Sequence, residues 1–131
     1  MANTGNIIRG KDTTMEFVCL PKVQTVNLTT QTVYSIPVAE LKSVFVRVEF
    51  VAAKSDFSGN YGGYVQGSFY RASGGNVAKG GNLITDLGGS IPGLVVDMVA
   101  NTGTQNIDIK FTGTLGVTIN WFASLYLVYN T

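Results

Sequence analysis

A two-residue alternation of side-chain character runs through the sequence and limits the folds that the chain can adopt. The clearest instance lies between residues 44 and 51, where every second side chain is large and apolar: Val44, Val46, Val48 and Phe50. Residues 107–112 repeat the pattern, and there the apolar set alternates with Asp108 and Lys110. Successive side chains of a β-strand point to opposite faces, whereas a helix presents one face every three or four residues. The alternation therefore predicts strands.

Further runs rich in valine, threonine and aromatic residues predict additional strands at residues 15–20, 23–28, 32–36, 64–72, 94–100 and 117–128. Glycine and asparagine cluster between them and predict turns at residues 58–63, 73–76, 80–82 and 88–93. Because no helical segment of normal length separates the runs, we predict an all-β fold, an antiparallel β-sandwich or jelly-roll-like domain. The 131 residues suit a single domain, which we place at residues 15–131, after an N-terminal arm at residues 1–14.

Charge is scarce and evenly spread. Charged residues make up 13% of the chain, about half the usual share of a soluble domain, while hydrophobic residues make up 45%. We therefore expect part of the surface to be covered. The net charge of +1, with interleaved signs, lacks the positive clusters that nucleic acids require, so we expect no nucleic-acid partner. The longest apolar stretch is about half the length of a membrane-spanning helix, so we expect no membrane partner.

The last predicted strand differs from the others because both of its faces are apolar, and no charged residue follows Lys110. Trp121 lies on one face by alternation, whereas Phe122, Tyr126 and Val128 lie on the other. Apolar residues on both faces indicate burial on both sides, by the sandwich core and by a neighbouring subunit. We therefore predict a subunit interface at Trp121, Phe122, Tyr126 and Val128.

The residue types available leave little room for catalysis. The chain has no histidine, which removes the commonest general base, the commonest zinc ligand and the Ser-His and Cys-His nucleophile pairs. A carboxylate pair can cleave glycosides, and the acids within the predicted sheets are Glu49, Asp86, Asp97 and Asp108. Their alternation with basic residues is also what any half-exposed sheet shows. We expect no catalytic residues, no metal site, no cofactor and no enzymatic activity.

Two other groups of residues have both a functional and a structural interpretation. Tyr61, Tyr64 and Tyr70 can stack on sugar rings or cover the edges of the core with their hydroxyls in water. Cys19 is the single cysteine, so a disulfide within the chain is excluded. Its apolar neighbours predict a small buried side chain.

The N-terminal residues carry a small apolar anchor flanked by charges. Ile7 and Ile8 are followed by Arg9 and Lys11 in an otherwise polar, aperiodic segment. Such a segment can become ordered on a partner, so we predict that Ile7, Ile8, Arg9 and Lys11 bind a partner protein. Two alternatives stay open, a disordered tail without a role and a first strand of the same domain.

Three motifs in the second half follow one another in a recognisable order: FYRASGGNV at residues 69–77, NIDIKFTG at 106–113 and VTINWFA at 117–123. Together they resemble a β-rich module of tailed-bacteriophage virion proteins, especially tail-fibre and spike tips. That module has a Thr-Gly turn leading to a Thr-Ile-Asn-Trp strand. The resemblance covers residues 69–127. Tail fibres usually place the module behind a long repetitive or coiled shaft, whereas the residues upstream here resemble strands of the same domain.

The resemblance implies a homotrimer, and the uncharged last strand offers a matching apolar surface. The sequence contains no heptads or solenoid repeats that would form a shaft. A small trimer with a polar arm suits a capsid decoration (cement) protein that binds several major capsid subunits at once and gains avidity. We therefore expect a structural virion protein that stabilises a phage head. The alternative is a receptor-binding tail-fibre or baseplate tip that contacts a host-surface glycan.

The N-terminus shows no basic stretch followed by an apolar core, and so no secretion signal. We therefore expect synthesis in the cytoplasm of the bacterial host. The expected final location is the surface of the phage particle.

Overall fold

The computed structural model describes residues 3–9 and 13–130. Within them the secondary structure consists of eleven β-strands, and no α-helix is formed. The strands are β1 (Asn3–Arg9), β2 (Thr13–Cys19), β3 (Val23–Val26), β4 (Thr30–Pro37), β5 (Lys42–Lys54), β6 (Asn60–Arg71), β7 (Ala78–Lys79), β8 (Ile84–Gly89), β9 (Val95–Asn101), β10 (Asn106–Thr112) and β11 (Thr118–Asn130). The alternation in the sequence thus predicted the right kind of secondary structure.

The strands form two antiparallel sheets. The larger has eight strands in the order β1-β2-β11-β5-β6-β7, with β3 also paired to β11 and β8 to β6. The smaller has three strands in the order β4-β10-β9. The predicted all-β, antiparallel β-sandwich is confirmed. The long strands β5 and β11, each of 13 residues, lie side by side in the middle of the larger sheet.

The core lies between the sheets and is made by every second residue of the central strands. Its fully enclosed members include Val46, Val48, Val65, Phe69, Met98, Ile107, Ile109, Phe111 and Trp121. The Trp121 indole stacks on Phe111 at 4.7 Å between ring centroids, and its Nε1 donates a hydrogen bond of 2.9 Å to Thr25 Oγ1. The indole is thus wholly buried while its one polar group is satisfied.

The N-terminal segment joins the larger sheet as its edge strand. In β1, residues 3–9 pair antiparallel with β2, with Ile8 opposite Met15 and Arg9 opposite Thr14. Of the alternatives left open by the sequence, the structure matches a first strand of the same domain. The strand β2 also begins two residues before the expected domain start at residue 15. Apolar periodicity gave no signal here because a backbone ladder binds an edge strand of any side-chain pattern.

Two glycine-rich stretches are partly strand, although the sequence predicted turns at residues 58–63 and 88–93. Gly62 and Gly63 lie in β6, opposite Gly88 and Leu87 of β8. Gly63 has φ of 142°, and the backbone carbonyl of Asp86 occupies the place of its missing side chain. Glycine is needed there because the two backbones approach so closely. The turn prediction was wrong for these residues because glycine also serves close strand contacts.

Candidate functional site

The side of the larger sheet that faces away from the core is unusually apolar. We call it the outer face; its side chains come from alternate residues of five neighbouring strands. It comprises Met15, Phe17 and Cys19 of β2; Phe122, Ser124, Tyr126 and Val128 of β11; Phe45, Arg47, Glu49 and Val51 of β5; Tyr64, Gln66 and Ser68 of β6; and Ile84 and Asp86 of β8. Charge is confined to Arg47, Glu49 and Asp86 among these outward side chains.

Aromatic side chains pack together in one half of the outer face. The Tyr126 ring lies 4.9 Å from Phe17 and 6.5 Å from Phe45, measured between ring centroids. Its hydroxyl contacts Met15 Sδ at 4.0 Å. Phe17 nevertheless remains 41% exposed. The cluster is preassembled on the surface, so covering it would cost little side-chain entropy.

A shallow depression of about 580 Å³ occupies the other half. Its lining combines the apolar Phe122 and Val51 with Glu49, Tyr64 and Ser124. Val51 lies opposite Gly62 and beside Phe122 in the sheet. The glycine has no side chain to fill the space, which leaves Phe122 and Val51 42% and 46% exposed.

Arg47 lies between the aromatic cluster and the depression. Its guanidinium carbon sits 4.0 Å from the centre of the Tyr64 ring, and its Nη1 donates to Gln66 Oε1 at 3.3 Å. Its Nε lies 3.3 Å from Glu49 Oε1 in an ion pair. That contact lacks hydrogen-bond geometry, so the enclosed Nε has no acceptor. Such an orphaned donor is costly in a buried setting.

Three of the four predicted interface residues lie on the outer face: Phe122, Tyr126 and Val128. The fourth, Trp121, needs correction. Its side chain is 0% exposed in the sandwich core, where Thr25 and Phe111 hold it. A residue next to Phe122 on the same strand must point to the opposite face, so Trp121 cannot contact a neighbouring subunit through its side chain.

The predicted partner-binding residues are placed only in part. Ile7 is 44% exposed, and Ile8 and Arg9 belong to the edge strand β1. Lys11 lies outside the described residues. Among the described strands, β1 pairs with β2 alone. Its other edge can therefore accept a strand from a partner.

The candidate carboxylates are spread over both sheets. Asp108 is 8% exposed, and its two oxygens accept hydrogen bonds from Ser35 Oγ at 2.8 Å and Asn101 Nδ2 at 2.9 Å. Asp97 lies opposite Lys110 in the smaller sheet. Glu49 and Asp86 lie on the larger sheet, flanking Tyr64. These two hydrogen bonds connect β10 to β4 and β9, so the Asp108 carboxylate has a structural role.

Two pKa shifts lie away from the outer face. Hydrogen bonds from Ser58 lower the pKa of Asp56 in the turn between β5 and β6. Burial raises the pKa of the Tyr34 hydroxyl, and the charge of Glu16 adds to this. Within residues 3–9 and 13–130, no three His, Cys, Asp or Glu side chains are grouped to hold a metal ion.

Several contributors to the outer face were not predicted from the sequence, above all Phe17, Phe45 and Arg47. Part of the signal was present, because the second set of residues in the 44–51 alternation begins and ends with the large apolar Phe45 and Val51. Cys19 also needs correction, because it is exposed at the edge of this face. Its apolar neighbours are divided between two faces of β2, and Cys19 shares its face with Phe17.

The three tyrosines do not form one cluster. Tyr61 packs against the core and lies 6.4 Å from the Phe50 ring, whereas Tyr64 and Tyr70 face outwards. No helix in the described part of the chain has the length and apolar character needed to cross a membrane.

Comparison with known proteins gives one informative likeness. No protein-family model matches the sequence, and no curated protein matches it. The fold is similar to part of the tailspike protein of Acinetobacter baumannii phage AM24, with a TM-score of 0.51 and 13% sequence identity. The match covers 89% of this chain and 27% of the tailspike chain. The chain thus spans about a quarter of the tailspike, and the two share a β-rich fold.

Proposed function

We propose that the protein is a structural, non-enzymatic component of the surface of a tailed-phage particle and acts as a homotrimer. The observation that carries the proposal is the apolar outer face, a feature that stable monomers rarely leave uncovered. The tailspike likeness supports the phage assignment, together with the motif order at residues 69–127. We propose further that the subunit is made in the bacterial cytoplasm and needs no nucleic acid, membrane or cofactor.

We place the protein on the head, as a decoration protein bound to the major capsid protein. The free edge of β1 supports this placement, because it offers backbone donors and acceptors to a strand of a capsid subunit. Exposed Ile7 supplies an apolar contact on the same strand. One edge strand binds weakly, whereas three edges on one trimer bind with avidity.

A second candidate, a receptor-binding tail-fibre or baseplate tip, is favoured by the tailspike likeness. In that case, the subunits would meet elsewhere and the depression with Tyr64 and Glu49 would stay open to a host-surface glycan, because an aromatic ring and a carboxylate together suit a sugar.

Copy number separates the two placements. Mass spectrometry of purified particles should find the head decoration protein at an abundance near that of the major capsid protein. A tail tip would be rare. Binding of the purified trimer to capsids stripped of it would support the head. Binding to host glycans instead, abolished by Tyr64→Ala, would support the tail.

Attachment through β1 has its own test. A variant lacking residues 2–12 should remain a folded trimer, because β2 keeps its pairing with β11, yet it should no longer add to undecorated heads. Ile7→Asp is the milder variant in case the truncation fails to fold, and Leu115→Asp is the matched control on a distant loop. Full occupancy by Ile7→Asp and the truncated trimer would contradict attachment through β1.

A further inference from the structure

The guanidinium of Arg47 has more hydrogen-bond capacity than one subunit uses. It carries five N–H donors, of which one reaches Gln66 Oε1. The enclosed Nε lacks an acceptor, and Glu49 Oε1 lies beside it at 3.3 Å without hydrogen-bond geometry. Water can satisfy the remaining donors at the end of the guanidinium only while the outer face is open, whereas it does not reach the enclosed Nε. Closing the face without new acceptors would leave a buried charge poorly paired.

Glu49 has spare capacity of the opposite kind, because its carboxylate oxygens accept hydrogen bonds. Its side chain is 58% exposed and forms an ion pair with Arg47. A carboxylate accepts up to about four hydrogen bonds. Arg47 and Glu49 follow each other on one strand, in the middle of an otherwise apolar surface. The outer face therefore carries one base and one acid with bonding capacity to spare at its centre, so a neighbouring copy of this chain offers each of them a partner.

The size of the face fits such an assembly. The five strands contain 7, 13, 13, 12 and 6 residues, so at about 3.3 Å per residue and about 4.8 Å between strands their whole outward side covers on the order of 800 Å². A stable protein–protein contact buries about 800 Å² on each partner. An unrelated partner would need a matching acid and base at the same spacing, whereas another copy of this chain has them already.

We infer that the outer face closes on copies of the same chain and that Arg47 of each subunit pairs with Glu49 of the next around the threefold axis. The inference rests on the proposed trimer and adds the contact that fixes the register of its subunits. Three arginines alone would repel one another near the axis. Alternating them with three glutamates gives the exposed part of each Arg47 guanidinium an acceptor and gives both charges a partner when water is expelled.

Single charge reversals provide the first test. Arg47→Glu leaves two acids on each subunit, and Glu49→Arg leaves two bases. Each should raise the protein concentration at which trimers are half formed by at least about tenfold, because like charges then meet across the contact. Lys79→Glu is the matched control, since Lys79 lies in β7 opposite buried Phe69 and off the outer face. Its trimers should form as in the parent protein.

The double reversal separates a pair between subunits from one within a subunit. Arg47→Glu combined with Glu49→Arg should restore homotrimers. Mixed with differently tagged parent protein, it should form few mixed trimers in native mass spectrometry, because each mixed contact opposes like charges. Statistical mixing, or a single reversal that assembles normally, would overturn the inference while leaving the trimer intact. A monomeric parent protein would overturn the proposed trimer as well.

Discussion

The two faces of the long strand β11 carry similar large apolar residues, but only one of these faces is buried in the subunit. Inwards, Trp121 is fully enclosed by the sandwich core, with its ring stacked on Phe111. Outwards, Phe122 is 42% exposed on a face that includes Tyr126. Both sets would gain from burial at about 25 cal/mol for each square ångström of apolar surface. Folding of one chain buries only the inner set, whereas the proposed trimer would bury the outer set.

The two faces also differ in how their polar groups are satisfied. In the core, the one polar atom of Trp121 has its partner, Thr25, within the same chain. On the outer face, the Arg47 and Glu49 side chains are 34% and 58% exposed, so part of their polar surface still faces water. The interior satisfies its polar groups within one chain, whereas the proposed interface would do so only after the subunits meet.

The largest effect should come from emptying the inner face. Trp121→Ala removes the biggest core side chain and leaves Thr25 without its donor, so the free energy of unfolding should fall by about 3–5 kcal/mol. Urea unfolding measures the loss at a protein concentration low enough for the subunits to be monomeric, so that trimer dissociation does not contribute. Phe122→Ala is the matched truncation on the outer face. It should change the unfolding free energy of the subunit by less than about 1 kcal/mol. Equal losses in both variants would erase the distinction between the faces.

A charge placed on the outer face should act on assembly and spare the fold. Phe122→Asp exposes its carboxylate to water in a monomer but buries it without a partner in a trimer. Such burial costs several kcal/mol, so trimers should weaken by at least about a hundredfold. Analytical ultracentrifugation measures the assembly, and circular dichroism checks that the sandwich remains. A trimer with parent-like affinity would exclude Phe122 from the interface.

A moderate effect is expected on the smaller sheet. Asp108→Asn replaces one carboxylate oxygen with an NH₂ group, which can donate to Ser35 Oγ while the amide oxygen still accepts from Asn101, but both bonds lose their charged acceptor. The free energy of unfolding should fall by about 1–2 kcal/mol. Asp97→Asn, on the neighbouring strand, should lower the free energy of unfolding by a smaller amount. Neither substitution should alter decoration of heads. Polysaccharide cleavage by the purified protein, abolished by either substitution, would overturn the non-enzymatic proposal.

The smallest effect should come from an exposed apolar side chain outside the outer face. Leu115 is 76% exposed in the loop between β10 and β11. Leu115→Asp should change the unfolding free energy by less than about 0.5 kcal/mol and leave the trimer unaffected. The variant checks that a continuous apolar face drives assembly, and not exposed apolar residues in general. Loss of the trimer in Leu115→Asp would move the interface to the loops.

The sequence predicted the sandwich because alternation is a local signal that survives in any single strand. It also separated Trp121 from Phe122, Tyr126 and Val128, yet still counted all four as interface. Which face of β11 met the smaller sheet depended on strand order, a long-range property. The sequence left β1 open as one of several alternatives and did not predict the short strand β8, for another reason. Backbone hydrogen bonds hold both strands in the sheet, and glycines such as Gly63 were interpreted as turn residues.

Light scattering on the purified protein at micromolar concentration tests the central claim most directly, because the claim is that copies of this chain cover the outer face. The subunit mass is 14.0 kDa, so a trimer should scatter with a mass of about 42 kDa, three times that value. Phe122→Asp, measured alongside, should give the subunit mass. A stable parent monomer of 14.0 kDa would contradict the account.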